Sequence, residues 1–168
     1  MMARAHPNFT LRPFLVEDTP LLAEIFRASV DELAAEDYGE REREAWTAAA
    51  EDEEAFARRL GGQLTLIATM NGSPVGFASL KGTETIDLLY VHPAAAGHGA
   101  GAMLVDALER LAAARGAKKL IADVSDTALD FFTRRGFEPQ RRNTLRVGGE
   151  WLANTTMEKK LAAKGAAA

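Results

Sequence analysis

The chain has 168 residues, of which 32 are alanine and none is cysteine, and its formal net charge is −4. The absence of cysteine excludes thiolate zinc sites, iron–sulfur clusters, disulfides and a cysteine nucleophile, and we expect no metal. The acidic balance argues against a nucleic-acid partner. Because no apolar run reaches the roughly 18 residues of a membrane span and residues 1–20 lack the apolar centre of a signal peptide, we expect a cytoplasmic protein with no membrane partner.

The first third of the chain is predicted to be a short strand followed by helices. Residues 10–16 are apolar but interrupted by Pro13, which is typical of an edge strand. Thr19 is a suitable N-cap for a helix whose apolar residues recur at helical spacing to about Asp37. A charged stretch around Trp46 follows.

An antiparallel meander is predicted in the middle of the chain. A helix at residues 52–61 precedes two apolar runs, 64–70 and 74–80, which flank Asn71-Gly72. Asn-Gly between apolar runs is the strongest short signal for a two-residue hairpin. Residues 85–91 form a third predicted strand after another turn.

The second half is predicted to alternate helices and strands. A loop at 97–101 leads into a helix ending at Gly116; after it we predict a strand at 120–124, a helix at 127–135 and strands at 137–146 and 151–159. A meander followed by a helical crossover predicts an α/β (α+β) fold with a mixed sheet and helices on both faces. We expect a single domain over residues 1–168, with its core at about 10–161 and a frayed tail at 162–168.

The loop before the fourth predicted helix carries glycines at positions 97, 99 and 101. Glycines and a helix N-terminus together favour binding of a phosphate group. Gly97, Gly99 and Ala102 also satisfy the dinucleotide pattern G-x-G-x-x-A, with Asp123 near the distance expected for a ribose contact. However, Gly97 lies six residues beyond Val91 at the strand end, and too few residues follow for further βαβ units. A nucleotide-binding module therefore remains the weaker alternative.

Two segments in order resemble the GNAT superfamily of N-acetyltransferases. LLYVHPAAAGHGAGAMLVDALE is similar to its acetyl-coenzyme-A-binding segment, and TALDFFTRRGFEP to the segment that commonly reads Phe-Tyr-x-x-x-Gly-Phe. The ending WLANTTMEKKL resembles a closing strand of bacterial members, so the resemblance covers about residues 10–161. It implies a GNAT-like, mostly antiparallel sheet with a splayed central parallel strand pair. It also implies acetyl-CoA as cosubstrate and acetyl transfer to a primary amine by direct attack in a ternary complex.

The resemblance also implies which residues contact the coenzyme. These are Tyr90, Val91, His92, Gly97, His98, Gly99, Ala100, Gly101, Ala102, Phe132 and Arg135. A main-chain N–H around Tyr90, Val91 or His92 would hold the thioester carbonyl oxygen. Arg134 and Arg135 are candidates for the adenosine 3′-phosphate, with surface solubility as the alternative role. Two positions depart from the family pattern. Ala96 replaces a usual Gln or Arg, and Phe132 replaces a tyrosine that protonates the leaving thiolate.

The catalytic candidates are Asp87 and Ser125. Asp87 lies in an otherwise apolar strand, where burial is expected to raise its pKa toward values useful to a general base; the alternative is a solvent-facing acid or a partner of Lys81. His92 and His98 are rivals for the base, although His92 is expected to support the turn at Pro93. Ser125 would protonate the thiolate, with Thr133 and Tyr90 as alternatives, or it would only cap the helix that follows.

The charge is divided unevenly along the chain. Residues 1–60 carry a net charge of −7 and residues 61–168 a net charge of +3. One interpretation is that the acidic segment at 31–54 attracts a cationic amine, on a small molecule or a peptide, while the basic half accommodates the anionic coenzyme. The alternative is that this segment is the solvated face of charged helices. Tyr38, Trp46 and Trp151 are candidates for the walls of the acceptor pocket. A homodimer is left open, and a non-catalytic acyl-CoA-binding regulatory domain is the alternative function.

Overall fold

The computed structural model describes residues 8–162; residues 1–7, and all of the predicted tail except Ala162, lie outside this part. The described residues form seven strands and five α-helices. In chain order these are β1 (Phe9–Pro13), α1 (Thr19–Ala28), α2 (Glu40–Thr47), α3 (Glu53–Gly61), β2 (Leu64–Met70), β3 (Ser73–Lys81), β4 (Thr85–Val91), α4 (Ala100–Ala114), β5 (Lys119–Ser125), α5 (Leu129–Arg134), β6 (Glu138–Val147) and β7 (Glu150–Lys160). No helix within residues 8–162 is both long and apolar enough to cross a membrane.

The strands form one sheet in the order β1-β2-β3-β4-β5-β7-β6. All neighbouring strands are antiparallel except β4 and β5, so the predicted mixed, mostly antiparallel sheet is confirmed. The predicted hairpin between β2 and β3 is also correct. Asn71 and Gly72 both have positive φ, 53° and 83°, as a two-residue turn matched to the strand twist requires.

The parallel pair β4–β5 is short, and this creates the gap on which the site depends. The strands pair only at Thr85 with Ile121 and at Ile86 with Ala122. Beyond these positions, toward Val91 and Ser125, the two strands are no longer joined by a ladder.

Helices cover both faces of the sheet, and each face has its own apolar core. On one face, α4 buries Leu104 and Leu108, spaced by one helical turn, at 0% exposure. On the other face, α1 and α3 bury Phe26, Phe56 and Leu60 against the sheet. The gap between β4 and β5 therefore opens between two packed layers.

The helices of the first third differ from the prediction in one place. Helix α1 begins at Thr19, with Asp18 at the N-cap, and a π-helical turn at Ser29–Leu33 ends the helical run, so the predicted extension to Asp37 is wrong. The charged stretch around Trp46 contains helix α2.

The position of Tyr38 is fixed by two hydrogen bonds. Its hydroxyl donates to the carbonyl of Ala153 at 2.6 Å and accepts from the main-chain N–H of Asp126 at 2.9 Å. These contacts join the segment between the helices to β7 and to the end of β5, and no local pattern in the sequence could indicate them.

Candidate functional site

Asp87 lies at an irregularity in β4. Ser79 of β3 pairs with Leu88, whereas the next residue, Leu80, pairs with Ile86, so Asp87 is the extra residue of a β-bulge. A bulge re-aims the side chains next to it. As a result, Asp87 reaches α3 on the face of the sheet where Leu88 is buried.

On that face, Asp87 is held by two side chains. Arg59 donates from Nε to Oδ2 at 2.8 Å and from Nη2 to Oδ1 at 3.1 Å, and Gln63 Nε2 donates to Oδ2 at 2.8 Å. Burial acts to raise the pKa of Asp87, but these hydrogen bonds and the charges of Arg59 and Lys81 outweigh it and hold the pKa below its ordinary value. The expectation of a raised pKa was wrong, because it considered burial without the partners.

A first cavity of about 260 Å³ occupies the gap between β4 and β5. Its walls include Asp87 and Val91 from β4 and Ser125 from β5. At the far end it reaches Gly101, in the first turn of α4, and Phe132 of α5. The gap therefore connects the predicted base with the predicted coenzyme loop.

The coenzyme loop turns through two glycines into α4. Gly97 and Gly99 have φ of 79° and 96°, which side-chain-bearing residues rarely adopt. The first intrahelical hydrogen bond runs from the N–H of Met103 to the carbonyl of Gly99 at 3.0 Å. The N–H groups of Ala100, Gly101 and Ala102 thus lack a partner within the helix. Together with the helix dipole, they form an environment suited to an anion.

The two histidines near the loop differ in their contacts. His98 is solvent-exposed. His92 accepts a hydrogen bond at Nδ1 from the N–H of Ala94 at 3.0 Å, so it supports the Pro93 turn as predicted. Its own main-chain N–H donates to the carbonyl of Val75 at 2.8 Å. Since successive N–H groups of a strand point to opposite sides, the N–H of Val91 points toward the gap.

Tyr90 and Ser125, which both line the first cavity, each carry a hydroxyl group. Tyr90 accepts a hydrogen bond from Trp46 Nε1 at 3.1 Å; burial raises its pKa to about 12, although this hydrogen bond acts in the opposite direction. Ser125 Oγ accepts from the N–H of Ala128 at 3.2 Å, which confirms its predicted capping role. Because both hydroxyls accept these bonds, each retains a proton to donate.

The two remaining residues predicted to contact the coenzyme, Phe132 and Arg135, contact other side chains of the protein. Phe132 is only 4% exposed and packs edge-to-face on Phe137, with ring centroids 5.0 Å apart. Arg135 forms an ion pair with Asp106, and its guanidinium lies 5.7 Å from the ring centre of Phe131. A contact between Arg135 and a coenzyme phosphate stays a prediction.

A second cavity of about 330 Å³ lies on the α1–α3 face of the sheet. Tyr38 and Trp46, two of the three candidates for the acceptor pocket, line this cavity, whereas Trp151 is 58% exposed and does not. Within the described part of the chain, no acid from 31–54 lines either cavity, so direct contact of those acids with a bound amine is not supported. The two cavities meet, since both are lined by Trp46, Asp87, Leu88, Tyr90, Asp123 and Ser125.

Sequence reasoning missed Arg59 and Gln63, the partners of Asp87. Arg59 is one of two adjacent arginines in a polar part of α3, and Gln63 lies between that helix and β2. Neither residue carries a local signal of function. Only the bulge at Asp87 and the packing of α3 on the sheet bring them together.

Comparison with known proteins agrees with this architecture. The acetyltransferase (GNAT) domain family matches residues 34–161. The uncharacterized N-acetyltransferase YafP of Escherichia coli (strain K12) is 29% identical over 153 residues, which cover 91% of this chain and 97% of that protein.

Two solved structures extend the comparison. A GCN5-related N-acetyltransferase from Rhodopseudomonas palustris is 56% identical, with a TM-score of 0.91, over 96% of this chain and 99% of that one. The structure of yncA from Salmonella typhimurium with its cofactor acetyl-CoA is 26% identical, with a TM-score of 0.65, over 96% of this chain and 98% of that one. The chain therefore belongs to the GNAT family of acetyltransferases and is an acetyl-CoA-dependent acyltransferase.

Proposed function

We propose that this enzyme transfers the acetyl group of acetyl-CoA to a primary amine by direct attack, with both substrates bound together. The observation that carries the proposal is the meeting of the two cavities at Asp87, Tyr90 and Ser125. One cavity leads to the anion-binding end of α4, and the other opens on the opposite face of the sheet. An amine and a thioester entering from these two sides would meet in the gap, which favours transfer without a covalent enzyme intermediate.

The coenzyme is proposed to bind chiefly through main-chain groups. The free N–H groups of Ala100, Gly101 and Ala102 would hold the diphosphate at the N-terminus of α4. These groups compensate for Ala96, which has no side-chain donor to offer. In the gap, the N–H of Val91 would donate to the carbonyl oxygen, a contact typically worth about 3 kcal/mol in the transition state.

Asp87 is proposed to receive the proton that the amine loses. Its lowered pKa keeps it ionised at neutral pH, but makes it too weak a base to deprotonate a free ammonium ion efficiently. The attacking nitrogen becomes far more acidic as its bond to the carbonyl carbon forms, and a weak carboxylate base suffices at that stage. The ammonium ion would therefore lose its first proton to solvent before the nitrogen attacks, and Asp87 would receive the second.

Ser125 is proposed to donate a hydrogen bond to the leaving sulfur. Its hydroxyl proton is not used by the cap that it forms with the N–H of Ala128. A thiol with a pKa near 8.5 is a moderate leaving group, so this assistance can be small. Phe132, at the family's tyrosine position, has no proton to contribute.

The test is free-thiol release from acetyl-CoA with a panel of primary amines, comparing wild type with Asp87→Asn. We expect Asp87→Asn to lower kcat/KM about 100-fold while leaving the KM for acetyl-CoA unchanged. Asp130→Asn is the matched control, because Asp130 is an exposed acid on α5 that lines neither cavity. An intact kcat/KM in Asp87→Asn would remove Asp87 from the mechanism.

The same assay separates the enzyme from a non-catalytic acyl-CoA-binding domain, which the buried Phe132 would suit. Such a domain would bind acetyl-CoA in a calorimeter but release no thiol with any amine. That result would overturn acetyl transfer as the function.

A further inference from the structure

The second cavity has mostly apolar walls, which bear on the identity of the amine. Tyr38, Trp46 and Tyr90 contribute aromatic rings, and Leu88 and Leu152 contribute aliphatic surface. Tyr38 and Trp46 pack edge-to-face at 5.3 Å, and Trp46 and Tyr90 at 6.4 Å. At about 330 Å³, the cavity is at the small end of ligand sites. It has room for one ring on a short chain.

The charges on these walls are few and can be assigned one by one. Arg59 and Asp87 neutralise each other through their two hydrogen bonds. The only other charged side chain lining this cavity is Asp123, which has no cationic partner among residues 8–162. The cavity therefore offers one uncompensated negative charge, carried by an exposed residue of its lining.

Asp123 is also held in a fixed orientation. Thr156 Oγ1 donates to Asp123 Oδ1 at 2.6 Å, and Asn143 Nδ2 donates to Thr156 Oγ1 at 2.8 Å. This chain of hydrogen bonds crosses from β6 through β7 to β5. It leaves Asp123 Oδ2 available to a ligand at the junction of the two cavities.

Building on the proposed function, we propose that the acceptor is a primary amine with a single positive charge, carried on a compact aromatic group. The ring would bind against Tyr38, Trp46 and Leu88, and Asp123 would attract the ammonium ion before it loses its proton in the gap. A polyamine would bring a second cation with no carboxylate to receive it. An amino acid would bring a carboxylate close to Asp123, where like charges repel.

The test is thiol release from acetyl-CoA with four amines: 2-phenylethylamine, butylamine, spermidine and phenylalanine. We expect kcat/KM for 2-phenylethylamine to exceed that for butylamine about tenfold or more, because the ring is removed from water. We also expect kcat/KM for 2-phenylethylamine to exceed the values for spermidine and phenylalanine about tenfold or more. Spermidine brings a cation with no partner, and phenylalanine brings a carboxylate that is repelled. Asp123→Asn should raise the KM for 2-phenylethylamine about threefold, a modest effect since Asp123 is exposed.

Measurements on three variants show whether Asp123 and the aromatic wall act on the amine rather than on the coenzyme. Asp123→Asn should leave the KM for acetyl-CoA unchanged, and Asp130→Asn should leave both KM values unchanged. Trp46→Leu should reduce the preference for 2-phenylethylamine over butylamine. Acetylation of spermidine or phenylalanine as fast as 2-phenylethylamine would overturn the aromatic class while acetyl transfer itself stands. Absence of thiol release with all four amines, in protein that binds acetyl-CoA, would overturn the proposed function as well.

Discussion

Replacing Arg59 with glutamine tests whether the Arg59–Asp87 pair stabilises the fold and sets the ionisation of Asp87. The substitution removes two charge-assisted hydrogen bonds to a carboxylate and leaves Gln63 as its remaining partner. Such bonds contribute about 1.5–3 kcal/mol each when sheltered. The side chains of Arg59 and Asp87 are 41% and 19% exposed, so solvent screening reduces the total. We expect a loss of about 1–2 kcal/mol.

The loss should depend on pH in a defined direction. In the wild type the pKa of Asp87 lies below its value in the unfolded chain, about 3.9. The stabilisation is therefore present above that pH and is lost as the pH falls through the lower, folded-state pKa. Without Arg59, burial is less opposed and raises the pKa of Asp87, so the variant loses stability as the pH rises. The difference in unfolding free energy between wild type and Arg59→Gln should be largest near neutral pH.

Urea unfolding of wild type and Arg59→Gln between pH 7.5 and pH 4 measures this difference in unfolding free energy directly. At neutral pH the loss corresponds to a fall in Tm of roughly 2–8 °C for a domain of this size. Arg58→Gln is the matched control, because Arg58 is the exposed neighbour of Arg59 on α3. Equal stability of the two variants at pH 7.5 would refute the reasoning. So would a difference between wild type and Arg59→Gln that does not become smaller on acidification.

Three other predictions concern the coenzyme, the leaving group and the core. Gly101→Val should raise the KM for acetyl-CoA about tenfold, because the added side chain fills the first cavity. Ala114→Val, at the exposed end of α4, is the control. An unchanged KM in Gly101→Val would place the coenzyme elsewhere. Ser125→Ala should lower kcat less than about tenfold, and adding Phe132→Tyr should restore it; if Ser125 only caps, kcat will not change. Leu104→Ala should cost about 3 kcal/mol in urea unfolding, and a loss below 1 kcal/mol would contradict its place in the core.

Features set by neighbours in sequence could be predicted, and features set by packing could not. Asn71 and Gly72 adopt positive φ whatever surrounds them, so the hairpin was evident. The glycines before α4 were equally informative about the start of that helix. By contrast, helix α2 has a polar sequence with no buried residue, and the segment before it is joined to β7 and to the end of β5 by the hydrogen bonds of Tyr38. Such a helix gives almost no periodic signal.

The ionisation of Asp87 shows the same limit at the candidate site. From the sequence, an acid in an apolar strand suggests burial, and burial alone raises a carboxyl pKa. The bulge reverses this expectation by turning Asp87 toward Arg59 and Gln63. With Asp87 shifted down and Tyr90 shifted up to about 12, neither group titrates between pH 5 and pH 9. Any rise in kcat/KM across that range would therefore not report deprotonation of these two residues.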